Sequence, residues 1–146
     1  MSTIPLRCVV DASVGVKLFV DEPLSEQAHT LFSGLVADPP IELYVPDLFF
    51  IECTNILWKY TRRFGRSLED SQADLADLGR LALCVTPTAD LMEEALVLAV
   101  QMGITAYDAC YAALARRMVL PLVTADEPLC RVISWAIWLG DLDTSS

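Results

Sequence analysis

The chain reads as an α/β protein built on a mostly parallel sheet, and three features of its sequence carry that reading. Short β-rich apolar runs recur: Cys8–Val10, Glu42–Val45, Leu83–Thr86 and Leu122–Ala125. Segments of helical periodicity lie between them, and strands separated by helices are βαβ units with parallel neighbours. Two of the runs end on an acid that opens a helix, Asp11 after the first and Asp126 after the fourth. Ligands of open α/β sheets bind just beyond those carboxyl ends.

Composition narrows the class. At 146 residues the chain is expected to form one domain over 1–146, with a single core. Hydrophobic residues make up 54% and charged ones 21%, which excludes disorder and suggests that a subunit or partner covers some apolar surface. The formal net charge of -10 repels phosphates, so a nucleic-acid function needs a local explanation. Five scattered cysteines in apolar contexts, with no CxxC or Cys/His ligand spacing, read as free thiols of a reducing, cytoplasmic compartment. Arg7 and Asp11 interrupt the N-terminal apolar run, so it is not read as a signal peptide, and no stretch is long enough to span a membrane.

The elements follow in order. After the first strand, Ala12–Val20 is expected to be a short helix. Asp21-Glu22-Pro23 breaks the chain and starts a second helix, with Pro23 in its first turn and Leu24, Ala28, Leu31, Phe32 and Leu35 at helical spacing. The second strand is closed by Pro46, and Asp47 caps a long helix to about Phe64, stopped by Gly65. Ser67–Asp70 caps the next helix, to about Leu81. Thr88–Met102 is an amphipathic helix ending at Gly103; Thr105 opens another that ends on Arg116-Arg117, cations suited to a helix C-terminus. A helical turn follows Asp126-Glu127-Pro128, and Ser134–Leu139 is expected to form a fifth, edge strand.

Four acids invite a reading beyond structure. Asp11, Asp108 and Asp126 each have an ordinary role as helix caps, Asp108 through the capping-box pattern Thr105-x-x-Asp108. Glu52 caps nothing. Its helical neighbours Leu48, Phe49, Asn55 and Ile56 include no cation, so a carboxylate on that apolar face needs a distant partner or must lose its charge. Two carboxylates ~5 Å apart repel by roughly 3 kcal/mol at an effective dielectric near 20. Gathered at one sheet edge, four would bind protons or a cation, and oxygen ligands without His or Cys suit Mg²⁺ or Mn²⁺. Such ions activate water and orient a phosphodiester, which is nuclease chemistry.

The series VVDAS (Asp11), FFIECTNILWK (Glu52), ITAYDACYAALA (Asp108) and LVTADEPL (Asp126) resembles PIN-domain proteins, particularly VapC-type toxin ribonucleases. The resemblance covers Cys8 to about Leu139. It implies a three-layer fold with a five-stranded sheet in order 3-2-1-4-5 and helices on both faces. It also implies metal-dependent endoribonuclease activity on single-stranded RNA and, for the toxin branch, homodimers neutralised by a small antitoxin. Carried over by position, Asp11, Glu52, Asp108 and Asp126 become the catalytic metal cluster, with Ser13 and Thr124 as polar supports and Asn55 orienting Glu52 or a water. Either hydroxyl could equally satisfy nearby backbone.

Charge is the remaining difficulty, since even two bound Mg²⁺ leave -10 plus 4, or -6. At 100° per residue, Lys59 and Arg63 fall about 20° either side of Glu52, and Arg66 about 40° away if the helix reaches it. Such a stripe could guide an RNA backbone, or could pair with the acidic 69–77 helix. Other functions compete. An Asp after the first strand also marks receiver domains and Asp-nucleophile phosphatases, but Ser13 stands where the second phosphatase acid belongs, and no Lys follows Thr124 as receivers require. A PIN ribonuclease of RNA processing, or a non-catalytic acidic module that receives a basic peptide, stays open as an alternative.

Overall fold

A computed structural model describes residues 2–144. Five strands, β1 (Arg7–Val10), β2 (Glu42–Pro46), β3 (Cys84–Thr86), β4 (Leu122–Thr124) and β5 (Ala136–Trp138), form one sheet in order β3-β2-β1-β4-β5. All four pairings are parallel, with Cys8 opposite Leu43, Val10 opposite Val123, Val45 opposite Val85 and Val123 opposite Ile137. The central strand and its neighbour β4 are deeply buried: Cys8, Val9, Val10, Leu122, Val123 and Thr124 are fully enclosed. Continuous apolar runs suit strands covered on both faces.

The helices are α1 (Ala12–Gly15), α2 (Ser25–Ser33), α3 (Leu48–Arg63), α4 (Leu68–Arg80), α5 (Met92–Met102), α6 (Ala106–Met118) and α7 (Glu127–Val132). Among the described residues, no single helix is long and apolar enough to cross a membrane. Alanines at 109, 112, 113 and 115 make α6 slim enough to lie in the core against β1 and β2, with Tyr111 and Leu114 as its large buried side chains. At Gly15 a Cβ would stand 2.5 Å from Cζ of the fully buried Phe49, so the missing side chain lets α3 lie against α1.

Several boundaries differ from expectation. The helix expected over 12–20 is four residues of α-helix followed by a 3₁₀ turn at Val16–Leu18. Pro23 lies outside α2, because Leu24 takes a left-handed φ of 73° ahead of Ser25. The 88–102 segment begins as a 3₁₀ turn over Thr88–Leu91, and the fifth strand is three residues long. Gly65 and Gly103 do adopt positive φ after their helices. Asp47 does not cap α3 with its side chain. Its Oδ1 accepts from the Thr88 backbone N–H at 2.7 Å and the Thr88 hydroxyl at 2.5 Å, tying the chain after β3 to the start of α3.

Candidate active site

Asp11 leaves the end of β1 and Asp126 follows Thr124, the end of β4, so the β1–β4 pairing sets both at one sheet edge. Asp11 is 5% exposed and makes no side-chain cap hydrogen bond; hydroxyls take its oxygens instead. Ser13 Oγ donates to Oδ1 at 2.5 Å, and Thr124 Oγ1 donates to Oδ2 at 2.5 Å. Each hydroxyl also accepts a backbone N–H, Ser13 from Ala125 at 3.0 Å and Thr124 from Asp126 at 3.1 Å. The two proposed uses of these hydroxyls, satisfying backbone and holding a carboxylate, therefore coexist. Together they stitch β1 to the turn after β4 through Asp11. Burial pushes the Asp11 carboxyl up to about 6, against those hydrogen bonds and with help from Asp108.

Glu52 does find a distant partner. Tyr111 on α6 donates its phenolic proton to Glu52 Oε1 at 2.6 Å. The Glu52 carboxyl is still raised, by burial and by the charge of Asp108, with the Tyr111 bond opposing. Asp108 is raised by burial and by Asp126. Thr105 caps α6 by accepting the Asp108 N–H at 3.1 Å, and Asp126 caps α7 by accepting the Leu129 N–H at 3.2 Å. Asp108 is thus the hub: Asp11, Glu52 and Asp126 each share an electrostatic coupling with it. Like charges held together this way are stabilised by protons or by a cation.

Among the described residues, Asp11, Glu52, Asp108 and Asp126 have no ion pair. Lys17, which follows α1, pairs with Glu22 at 2.7 Å, and Glu22 also accepts from the Tyr60 hydroxyl. Among the described residues, no three His, Cys, Asp or Glu side chains already stand in metal-holding geometry. The donor set itself is all carboxylate and hydroxyl oxygen, the chemistry of a hard divalent ion rather than zinc. Asp108 and Asp126 open on one groove, and Glu52 lines the next beside Asn55 and Tyr107. Asn55 is exposed and forms no hydrogen bond with Glu52 among the described residues; the carboxylate is held by Tyr111.

Lys59 and Arg63 are exposed on α3 and have no ion pair among the described residues. Arg66 leaves the expected stripe, because α3 ends at Arg63 and the Arg66 guanidinium pairs with Asp74 of α4. Sequence reasoning missed Tyr111. The signal was a phenol set between Cys110 and Ala112, one turn from Asp108 on α6.

The acidic edge of an α/β sheet in this strand order defines a known class. The PIN domain model matches residues 8–133, and the chain belongs to the PIN domain family. A curated relative, Ribonuclease VapC3 of Pyrobaculum aerophilum, is 39% identical over 127 residues, 85% of this chain and 92% of that protein. Among solved structures, PAE2754 from Pyrobaculum aerophilum matches with a TM-score of 0.69 at 28% identity, covering 92% of this chain and 90% of its own. A toxin–antitoxin complex from Klebsiella pneumoniae shares the fold, with a TM-score of 0.64 at 17% identity over 89% of this chain and 95% of that one.

Proposed function

We propose that the chain is a divalent-metal-dependent endoribonuclease acting on single-stranded RNA, and the toxin of a toxin–antitoxin pair. One arrangement carries the chemistry: Asp11 and Asp126 follow the ends of the paired strands β1 and β4, and the charge of Asp108 helps raise the carboxyls of both Asp11 and Glu52. Its closeness to a relative named Ribonuclease VapC3 and its likeness to PAE2754 support the reaction class.

Asp11, Glu52, Asp108 and Asp126 would hold Mg²⁺ or Mn²⁺. When bound, the ion supplies positive charge beside the scissile phosphate and lowers the pKa of water. Ser13 and Thr124 fix the Asp11 carboxylate by donating to both of its oxygens. Tyr111 engages Glu52 Oε1, and Glu52 lines the groove beside it. Lys59 and Arg63 draw the RNA backbone to α3.

The same acidic edge suits an Arg-bearing segment of a small antitoxin protein, since carboxylates bind guanidinium bidentately. A toxin–antitoxin complex among the structures of this fold is consistent with such a partner. A homodimer would cover the outer face of α5, where Met92, Leu96, Val97 and Val100 are all more than half exposed. A cytoplasmic location goes with this reading, since it puts the chain beside cellular RNA.

Calorimetric titration of Mn²⁺ into the full chain and into Asp108→Asn tests the reading, together with growth on induced expression. The chain should bind Mn²⁺ and arrest growth, and Asp108→Asn should lose both. A variant that binds the ion equally well would contradict the site; a chain that binds a basic peptide and no ion would support the acidic interaction module instead.

A further inference from the structure

Beside the acidic edge lies a groove of about 700 Å³, lined by Leu48, Ile51, Glu52, Asn55, Trp58 and Tyr107. Two aromatic rings line it, and both are exposed, Trp58 by 49% and Tyr107 by 62%. Both adjoin the candidate chemistry. Tyr107 precedes Asp108 in the chain, and Trp58 lies six residues beyond Glu52 on α3, about 9 Å of helix rise. Asn55, midway between Glu52 and Trp58, is exposed and has no hydrogen bond among the described residues.

We propose that this groove binds an unpaired base of the RNA substrate, stacked on the Trp58 indole with its polar edge toward the Asn55 amide. The site deepens the ribonuclease reading and rests on it. Exposed aromatic faces beside a cationic track are how single-stranded nucleic acid is held without a sequence code. An asparagine amide offers both donors and an acceptor, which matches the edge of a base. A duplex has no free base faces to stack, so the groove selects single strands.

Charge decides between RNA and a protein segment as the occupant. The chain has ten Lys and Arg in a net charge of -10, and five of them are ion-paired. Lys59, Arg62 and Arg63 are not, among the described residues, and they adjoin the groove on the same helix. Arg62 stacks over the Trp58 ring with its guanidinium carbon 5.2 Å from the centroid, which steadies the indole and brings a cation to the rim. A basic peptide would be repelled by these three cations, whereas a phosphate chain is drawn to them. The carboxylates at the other end then receive the neighbouring phosphate with its counter-cation.

Tryptophan emission of the full chain, titrated in EDTA with a single-stranded RNA of six adenosines and with a matched abasic oligomer, tests the site without turnover. The adenosine oligomer should quench emission and bind on the order of tenfold more tightly than the abasic one. Trp58→Leu should lose the quenching and most of that difference, and Trp58→Tyr should restore much of the binding. An abasic oligomer that binds as well as the adenosine oligomer, or a Trp58→Leu variant with unchanged RNA affinity, would overturn the proposal; in the second case, lost affinity for a basic peptide would give the groove to a protein. Cleavage assays in Mn²⁺ separate the two readings. Trp58→Leu cleaving at an unchanged KM removes the base site and leaves the nuclease standing. Base-dependent quenching by a chain that never cleaves supports the base site and removes the nuclease.

Discussion

Tyr111 and Glu52, 59 residues apart in sequence, meet through a 2.6 Å hydrogen bond that joins α6 to α3. The bond holds one carboxylate oxygen on an otherwise apolar helix face and keeps Glu52 from rising further toward neutrality. Tyr111→Phe removes the donor and retains the ring. Glu52 should then titrate at higher pH, so the acid limb of the rate profile moves up and kcat falls by about tenfold, as for lost supporting bonds at metal sites. A pH–rate profile with an unmoved acid limb would show that the bond is structural only.

Asp11 gives a stability signature of opposite sense to an ion-paired acid. Burial raises its carboxyl from 3.8 to about 6, so the folded state holds this proton more tightly than the unfolded one. The resulting stabilisation is complete below about pH 4 and is lost as pH rises through about 6. Without divalent ions, Asp11→Asn should therefore gain stability over the parent between pH 4 and 6 and hold that gain at pH 7. The gain is at most about 3 kcal/mol. Denaturant unfolding across that range checks it, and a variant that is less stable at pH 7 would show the Ser13 and Thr124 bonds outweighing the buried charge.

Gly15 sets how closely α3 approaches α1. A Cβ there meets Phe49 at 2.5 Å and 2.7 Å, and Phe49 is fully buried and cannot swing away. Gly15→Ala should cost ~1–3 kcal/mol of stability, a typical overpacking penalty, and shift α3, which carries Glu52. Thermal denaturation of the two proteins measures the first effect, and Mn²⁺ affinity reports the second.

Lys59 and Arg63 are expected to act on substrate capture rather than on chemistry. The Lys59→Glu, Arg63→Glu double variant should raise KM for single-stranded RNA several-fold, leave kcat nearly unchanged and flatten the salt dependence of KM. Arg66→Glu makes a different prediction. It breaks the pair with Asp74 and should lower stability with little change in KM. Steady-state kinetics at two salt concentrations distinguishes these outcomes.

How much of this was legible in the sequence follows the range of the contacts. Asp11 and Asp126 at strand ends were visible, because an apolar run that stops on an acid is a local pattern, and so were the stops at Gly65 and Gly103. The strand order came from the family resemblance, since parallel crossovers leave no local mark of which strands become neighbours. Long-range partners stayed hidden. Asp47 looks like a helix cap until Thr88, 41 residues on, takes its oxygen. Arg66 looked available until α4 brought Asp74 to it. Glu52 was identified as an acid in need of a partner, yet only the packing of α6 shows that the partner is Tyr111.

Cleavage of single-stranded RNA by the purified chain, with Mg²⁺ or Mn²⁺, with EDTA, and with Asp108→Asn, tests the central claim most directly. The account predicts cutting by the chain with either ion, none in EDTA, and a loss of at least a hundredfold, on the order expected when a coupled catalytic group is removed, in Asp108→Asn. RNA cut equally well by Asp108→Asn, or undiminished in EDTA, would contradict it.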